Sequence, residues 1–224
     1  MNQKDAEYEL WEKCSPSQKA KLCSLGPHTS YQLRETPRHI LFLLSRYKFA
    51  AKIIGEGKNI LELGCGDGLG SIILSEFAES FTGVDFDEEL INWAKENLSS
   101  KNRTYILANF LGKKFGEFDG VISLDVIEHI YPENEDIFFA TLADNLFHNG
   151  IAIVGTPNED TKRFSQKKVN DAHVNLYNAE RLKSSMEKYF NNVFIFSVND
   201  EMIHTGYWPM AHYYIALACY KKKD

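Results

Sequence analysis

Four short stretches of this chain gather side chains able to do chemistry. The first is Asn59–Gly70, reading NILELGCGDGLG, where Glu62 ends an apolar run and glycines at 64, 66 and 68 alternate with Cys65 and Asp67. A strand that enters a glycine turn and leaves as a helix is the nucleotide-binding corner of doubly wound α/β proteins. Glycine serves there because it tolerates positive φ and lets a ligand reach bare backbone amides at a helix N-terminus. The second stretch is Asp85-Phe86, about 20 residues further on, where an acid accepts hydrogen bonds from ribose hydroxyls. A turn aspartate is the structural alternative. The third, Leu124-Asp125-Val126-Ile127-Glu128-His129, sets two carboxylates and an imidazole at the end of another apolar run. The fourth is His173, in DAHVNLYNAERL. Either histidine has the chemistry to take a proton from a hydroxyl, although a lone histidine is more often structural.

Spacing separates the glycine loop from other nucleotide sites. A dinucleotide fingerprint needs G-x-G-x-x-G/A, yet counting from Gly64 and Gly66 puts Leu69 third, and counting from Gly66 and Gly68 puts Ser71 there. No Gly-Lys-Ser/Thr follows, so a phosphate-binding Walker loop is excluded as well.

These residues need a frame, and the hydrophobic pattern supplies one. At 224 residues, 44% hydrophobic and 25% charged, the chain is long enough for one α/β domain with a short extra element. A net charge of −6 argues against a nucleic-acid partner. Ile40–Leu44 is too short to cross a bilayer, the polar start MNQKDAEYEL does not read as a signal peptide, and the four scattered cysteines form no CxxC. A cytoplasmic protein with reduced thiols and no membrane insertion is expected, with homo-oligomerisation left open.

Residues 1–57 read as an N-terminal helical cap and 58–224 as the nucleotide-binding domain. In the cap, Ser15-Pro16-Ser17-Gln18 is a capping-box pattern, and Leu25-Gly26-Pro27 breaks the helix it opens. His28–Arg34 reads as a polar loop able to cover a site. Thr36-Pro37 starts a helix with Ile40, Leu43, Leu44, Tyr47, Ala51 and Ile54 as its core stripe, ended by Gly55 and Gly57. Strands are then expected at 60–63, 81–84, 104–108, 118–124 and 151–155. Helices are expected at 69–77, 88–98 behind Asp87, 132–147 with Gly150 as C-cap, and 179–189 behind Asn178. The last two strands, 193–198 and 213–220, are joined too directly for a crossover helix, so they are expected to be antiparallel. The fold class is α/β: a doubly wound, mostly parallel seven-stranded sheet with an antiparallel C-terminal edge hairpin and the helical cap.

Glu62-x-Gly64-x-Gly66-x-Gly68 resembles motif I of the class I S-adenosylmethionine (SAM) methyltransferases. The stretch FDGVISLDVIEHIYPENEDIFFATLADNLFHNGIAIVGTPN resembles the ubiquinone-type O-methyltransferases of that class, with their strand-4 D/E-V-x-E-H and strand-5 T-P-N. The resemblance implies SAM as cofactor and a small-molecule acceptor, methylated at an aromatic or sugar hydroxyl. A small amine as acceptor, or a SAM-binding protein without catalysis, is the alternative.

SAM carries an ammonium, a carboxylate and a sulfonium. The acids Glu62 and Asp67 suit its cations, and the loop amides of Gly64, Cys65, Gly66 and Gly68 suit the carboxylate. Arg46, in SRYKFA, matches an arginine that the subgroup carries before motif I, and a guanidinium there clamps a carboxylate. Asp85 is expected on the ribose and Phe86 against the adenine. Asn109 stands where the family commonly has an acid that meets the adenine amino group, with an Asx turn as the alternative. Phe110 and Leu124 complete the expected cofactor-binding set. His173 and His129 are the expected catalytic residues. The subgroup's acid, Glu and His (here Asp125, Glu128 and His129) are also a candidate set for a divalent ion, but three ligands close in sequence seldom suffice, and no metal is assigned.

Overall fold

A computed structural model of the chain describes residues 3–14, 24–164 and 171–222. The capping-box pattern at 15–18 lies outside them. Eight strands form one sheet: β1 (Asn59–Leu63), β2 (Ser80–Asp85), β3 (Arg103–Leu107), β4 (Phe118–Leu124), β5 (Leu146–Pro157), β6 (Phe190–Asn199), β7 (Met202–His204) and β8 (Tyr213–Lys221), in the order β3-β2-β1-β4-β5-β8-β6-β7. The first five are parallel, whereas β8 runs antiparallel between β5 and β6. The strand beyond the expected seven is β7, a three-residue return that pairs Met202–His204 with Ser197–Asn199.

Helices cover both faces, as parallel strands require. On one face α3 (Pro37–Ile54), α4 (Leu69–Phe77) and α5 (Glu88–Leu98) bury Tyr47, Ala51, Ile54, Leu74 and Ile91 against Ile60, Ile122 and Ile153. On the other, α6 (Glu135–Asp144) and α7 (Ala179–Glu187) bury Phe138, Phe139, Leu142, Leu182 and Met186 against Leu61, Val121 and Val154. Two more helices precede β1: α1 (Gln3–Cys14) and α2 (Pro27–Glu35). Asp87 and Asn178 cap α5 and α7 as expected, accepting from the backbone N–H groups of Leu90 and Arg181. Among the described residues no helix is long and apolar enough to cross a membrane.

Three local expectations are corrected. Residues 28–34 are helical, because α2 begins at Pro27 and continues to Glu35. The helix expected over 132–147 is a 3-10 turn (Pro132–Asn134) followed by α6, which stops at Asp144. Gly150 caps no helix and lies inside β5. Asn145 makes the difference: its side chain donates to the Lys113 and Thr141 carbonyls and accepts from Phe115 N–H. The chain is thereby turned into the sheet, where Leu146 pairs with Phe118. A side chain at Gly150 would meet the carbonyl oxygens of Phe118 and Asp119 at 3.0 Å, so close strand packing is why glycine stands there.

Candidate active site

The carboxyl ends of β1, β2, β4 and β5 carry the residues singled out by sequence. At β1 the loop turns through Gly64, Gly66 and Gly68, all at positive φ (82°, 54° and 82°), and a side chain on Gly64 would strike Val126 at 2.3 Å. Asp85 fixes this loop from β2. Its Oδ2 accepts from Gly66 N–H at 2.8 Å and its Oδ1 from Asp87 N–H at 3.0 Å. A carboxylate offers about four lone-pair sites, so capacity for two ribose hydroxyls remains. Phe86 beside it is 75% exposed, a large apolar face standing in water at the lip of the loop.

Glu62 is fully buried. Tyr47 of α3 donates to its Oε1 at 2.7 Å, while its Oε2 has no hydrogen-bond partner among the described residues. Burial pushes this carboxyl up to about 8; the Tyr47 bond opposes the shift and nearby Asp85 adds to it. Arg46, one residue before Tyr47, places its guanidinium 3.5 Å over the Tyr213 ring, and its Nη1 reaches both oxygens of Asp125, at 3.0 and 3.2 Å. Its buried Nε has no hydrogen-bond partner among the described residues. Two buried polar atoms of opposite character, a carboxyl oxygen and a guanidinium N–H, thus lack a partner among the described residues. A zwitterionic amino-acid group carries a donor for the first and an acceptor for the second, so the residues present fit the methionine end of SAM in chemical character.

Asp67 is engaged differently from a free loop acid. Both its oxygens accept from Thr29, one from the backbone N–H and one from Oγ1, each at 2.8 Å. Thr29 is the third residue of α2, whose first-turn amides need acceptors, so Asp67 caps that helix from 38 residues away. Gly26 permits the approach, since a side chain there would overlap the Asp67 carboxylate. Asp67→Ala is therefore expected to cost about 1–3 kcal/mol of stability and to speed amide exchange at Thr29 and Ser30. Unchanged protection at both amides would mean that other contacts hold α2.

Of the remaining expected cofactor residues three are buried and one is exposed. Cys65 and Leu124 are buried, and Phe110 is core, packed edge-on to Phe138. Asn109 is exposed, and its Oδ1 accepts from Leu111 N–H in an Asx turn.

The third and fourth stretches meet. Glu128, in the 3-10 turn Ile127–His129, is buried and accepts from Thr156 Oγ1 at 3.1 Å. Burial, then the Asp125 carboxylate, push it up to about 8. His129 Nδ1 lies 2.9 Å from the Ala172 carbonyl, an acceptor that requires the proton on Nδ1. His173 lies against it, ring centroids 5.1 Å apart and tilted by 66°, and its pKa is lowered by burial and by His129. Ligand atoms of Glu128, His129 and His173 fall within 4.8 Å of one another. The candidate ion set expected from sequence is thus altered, with Asp125 given over to Arg46 and His173 in its place. One carboxylate and two imidazoles suit a borderline divalent cation.

Sequence reasoning passed over Thr29, Tyr47, Thr156 and Tyr213. Tyr47 stood out only as core and Tyr213 only as an edge strand. Thr156 entered only as part of the T-P-N stretch, and Thr29 only as part of the polar stretch 28–34.

A family model described as a methyltransferase domain matches residues 33–193. The ubiquinone biosynthesis O-methyltransferase of Caulobacter sp. (strain K31) is 31% identical over 124 residues, covering 53% of this chain and 48% of that protein. The cyclopropane-fatty-acyl-phospholipid synthase of Escherichia coli K12 is 31% identical over 101 residues, covering 45% of this chain and 26% of that one. The chain thus spans about half the length of the first and a quarter of the second. Among solved structures, the N-methyltransferase NodS from Bradyrhizobium japonicum WM9, in complex with S-adenosyl-L-homocysteine, superimposes with a TM-score of 0.62 over 87% of this chain and 92% of its own, at 15% identity.

Proposed function

The chain belongs to the methyltransferase-domain family, whose model spans residues 33–193, and on that premise we propose that it methylates a hydroxyl oxygen of a small-molecule acceptor. Its cofactor is SAM, as the family implies. SAM supplies an electrophilic methyl group on a sulfonium whose positive charge is lost on transfer. Glu62 and Arg46 hold the methionine end by their orphaned atoms, Asp85 the ribose, and Phe86 and Asn109 the adenine.

The observation that carries the oxygen assignment is the pairing of His129, beyond β4, with His173, beyond β5. A hydroxyl becomes an effective nucleophile as it loses its proton, so a base within reach of the acceptor lowers the barrier. His173 has that role: its lowered pKa keeps the ring neutral and able to accept near pH 7. His129, its Nδ1–H engaged by Ala172, keeps Nε2 free of that proton as a second acceptor. The acceptor oxygen forms a bond to the methyl carbon, the carbon–sulfur electron pair stays on sulfur, and the hydroxyl proton passes to His173. The ubiquinone-type relatives, O-methyltransferases by name, support oxygen over nitrogen.

Calorimetry with SAM, followed by labelled methyl transfer to a panel of phenols, sugar nucleotides and amines, tests the proposal. Binding with transfer to hydroxyl compounds is expected. Binding without transfer to any acceptor would favour a non-catalytic SAM-binding protein, and transfer to amines alone would move the assignment to nitrogen. On a methylated panel compound, His173→Ala is expected to lower turnover about 10²–10⁴-fold with SAM affinity unchanged. Unaltered turnover would place the base elsewhere.

A further inference from the structure

Among the described residues His173 makes no hydrogen bond that would hold its ring, and its backbone is tied to the neighbouring turn on either side. On the N-terminal side the tie is the Ala172 carbonyl, which accepts from His129. On the C-terminal side it is Asn175, a residue that sequence gives no reason to select.

Asn175 is buried, and its backbone N–H donates to the Glu128 carbonyl at 3.1 Å. Its side chain is held from two directions. Nδ2 donates to Tyr177 Oη at 3.1 Å, and Oδ1 accepts from Arg181 Nη2 at 2.6 Å. Arg181 is itself fixed, with Nη1 on the Leu176 carbonyl at 2.8 Å, its guanidinium 4.1 Å over the Tyr177 ring, and Nη2 paired with Glu135. Glu135, the first residue of α6, also accepts from Tyr177 Oη at 2.6 Å and from Ser185 Oγ at 2.7 Å. The chain after β5 is thus bolted to α6 and α7 through one carboxylate, and Asn175 passes that anchorage to the turn bearing Glu128 and His129.

We propose that Asn175, held by Arg181 and Glu135, is the positioning residue that sets His173 against His129 on the acceptor side of the site. The functional weight of this inference rests on the reading of His173 as base, but its geometric content does not. With both ends tied, the four residues 172–175 span between two bonds to adjacent residues, 128 and 129, so the ring between them has little freedom. Releasing one end frees His173 and weakens the Ala172 bond that selects the His129 tautomer. A side-chain amide suits the position because it must accept from a guanidinium and donate to a phenol oxygen at once.

The test is histidine-ring 15N–13C correlation NMR on the full chain, recorded alkaline enough that both rings are neutral, beside SAM calorimetry and thermal unfolding. In the parent chain His129 is expected as the Nδ1–H tautomer. Asn175→Ala is expected to shift or broaden the His173 signals and to mix the two His129 tautomers, while SAM affinity stays within about twofold. Arg181→Lys keeps a charge for Glu135 but loses the planar fork that reaches Asn175 and Leu176 together. It is expected to give the same spectral change and supplies the answer should Asn175→Ala fail to fold. Loss of thermal stability with both ring spectra unchanged would overturn the proposal and leave Asn175 merely structural. The catalytic reading fails separately: if His173→Ala turns over normally while Asn175→Ala disturbs the rings, the positioning stands and the base lies elsewhere. If both hold, Asn175→Ala lowers kcat about tenfold or more with KM for SAM unmoved.

Discussion

Asp85→Ala is expected to weaken SAM binding about 10- to 100-fold, or roughly 1–3 kcal/mol, and to destabilise the chain without cofactor by a comparable amount. Two effects coincide. The ribose loses its acceptor, and the glycine loop loses the carboxylate that holds Gly66 N–H at 2.8 Å and Asp87 N–H at 3.0 Å. Asp85→Asn separates accepting from charge. It keeps one oxygen, but its NH2 group must confront either Gly66 N–H or Asp87 N–H, a donor against a donor. It is therefore expected to bind SAM almost as poorly as the alanine variant. Titration calorimetry and thermal unfolding of the three chains measure both quantities. Full SAM affinity in a destabilised Asp85→Asn chain would confine Asp85 to the loop and remove it from the ribose.

How far this site could be read from sequence follows from the range of the forces that build it. The elements β4, α4 and α5 fall within the bounds expected, since each is fixed by a local signal: an apolar run, a glycine turn, or an N-cap with its own helix. Helix α2 carries only a proline at its first position and no side-chain N-cap of its own. PHTSYQLRE is polar, and the acceptor for its first turn is Asp67, 38 residues away. Helix α6 ends early for the same kind of reason, because the Asn145 side chain, still bonded to the Thr141 carbonyl, also engages Phe115 and Lys113. The eighth strand escaped because three residues of edge pairing leave no periodicity to detect.

The site divides along the same line. Glu62, the glycines, Asp85 and the Asp125–His129 stretch are dense local motifs, each visible within about a dozen residues. The meeting of His129 with His173, 44 residues on, is tertiary, as is the diversion of Asp125 to Arg46 across 79 positions. Sequence therefore supplies the carboxylates and imidazoles of this cluster but not their pairing, and it is the pairing that decides which of them is left free to accept a proton.

Glu62 leads to the second large effect, a pH dependence with a definite sign. Its carboxyl moves from an ordinary value of 4.5 to about 8 when the chain folds, chiefly through burial. Between those two values the folded chain retains a proton that the unfolded chain has released, so stability falls as pH rises through the window, by up to about 1.4 kcal/mol per pH unit for one group. Glu128, likewise pushed up to about 8, contributes a similar slope. Glu62→Gln retains an oxygen for Tyr47 and cannot ionise. It is expected to remove about half of the decline between pH 5 and about 8 in denaturant unfolding, and an unaltered slope would mean that Glu62 is charged in the folded chain. With the proposed placement of SAM the preference reverses, because an ammonium set against Oε2 stabilises the carboxylate. SAM should therefore bind more tightly as pH rises from about 6 to 7.5, below the range where an α-amino group loses its charge, with log K climbing toward one unit per pH unit. Proton release on binding, measured by calorimetry in buffers of different ionisation enthalpy, is the direct signature. Affinity that is flat over this range, with no proton released and no change in Glu62→Gln, would show that the ammonium of SAM has another partner and that the orphaned Oε2 belongs to the fold alone.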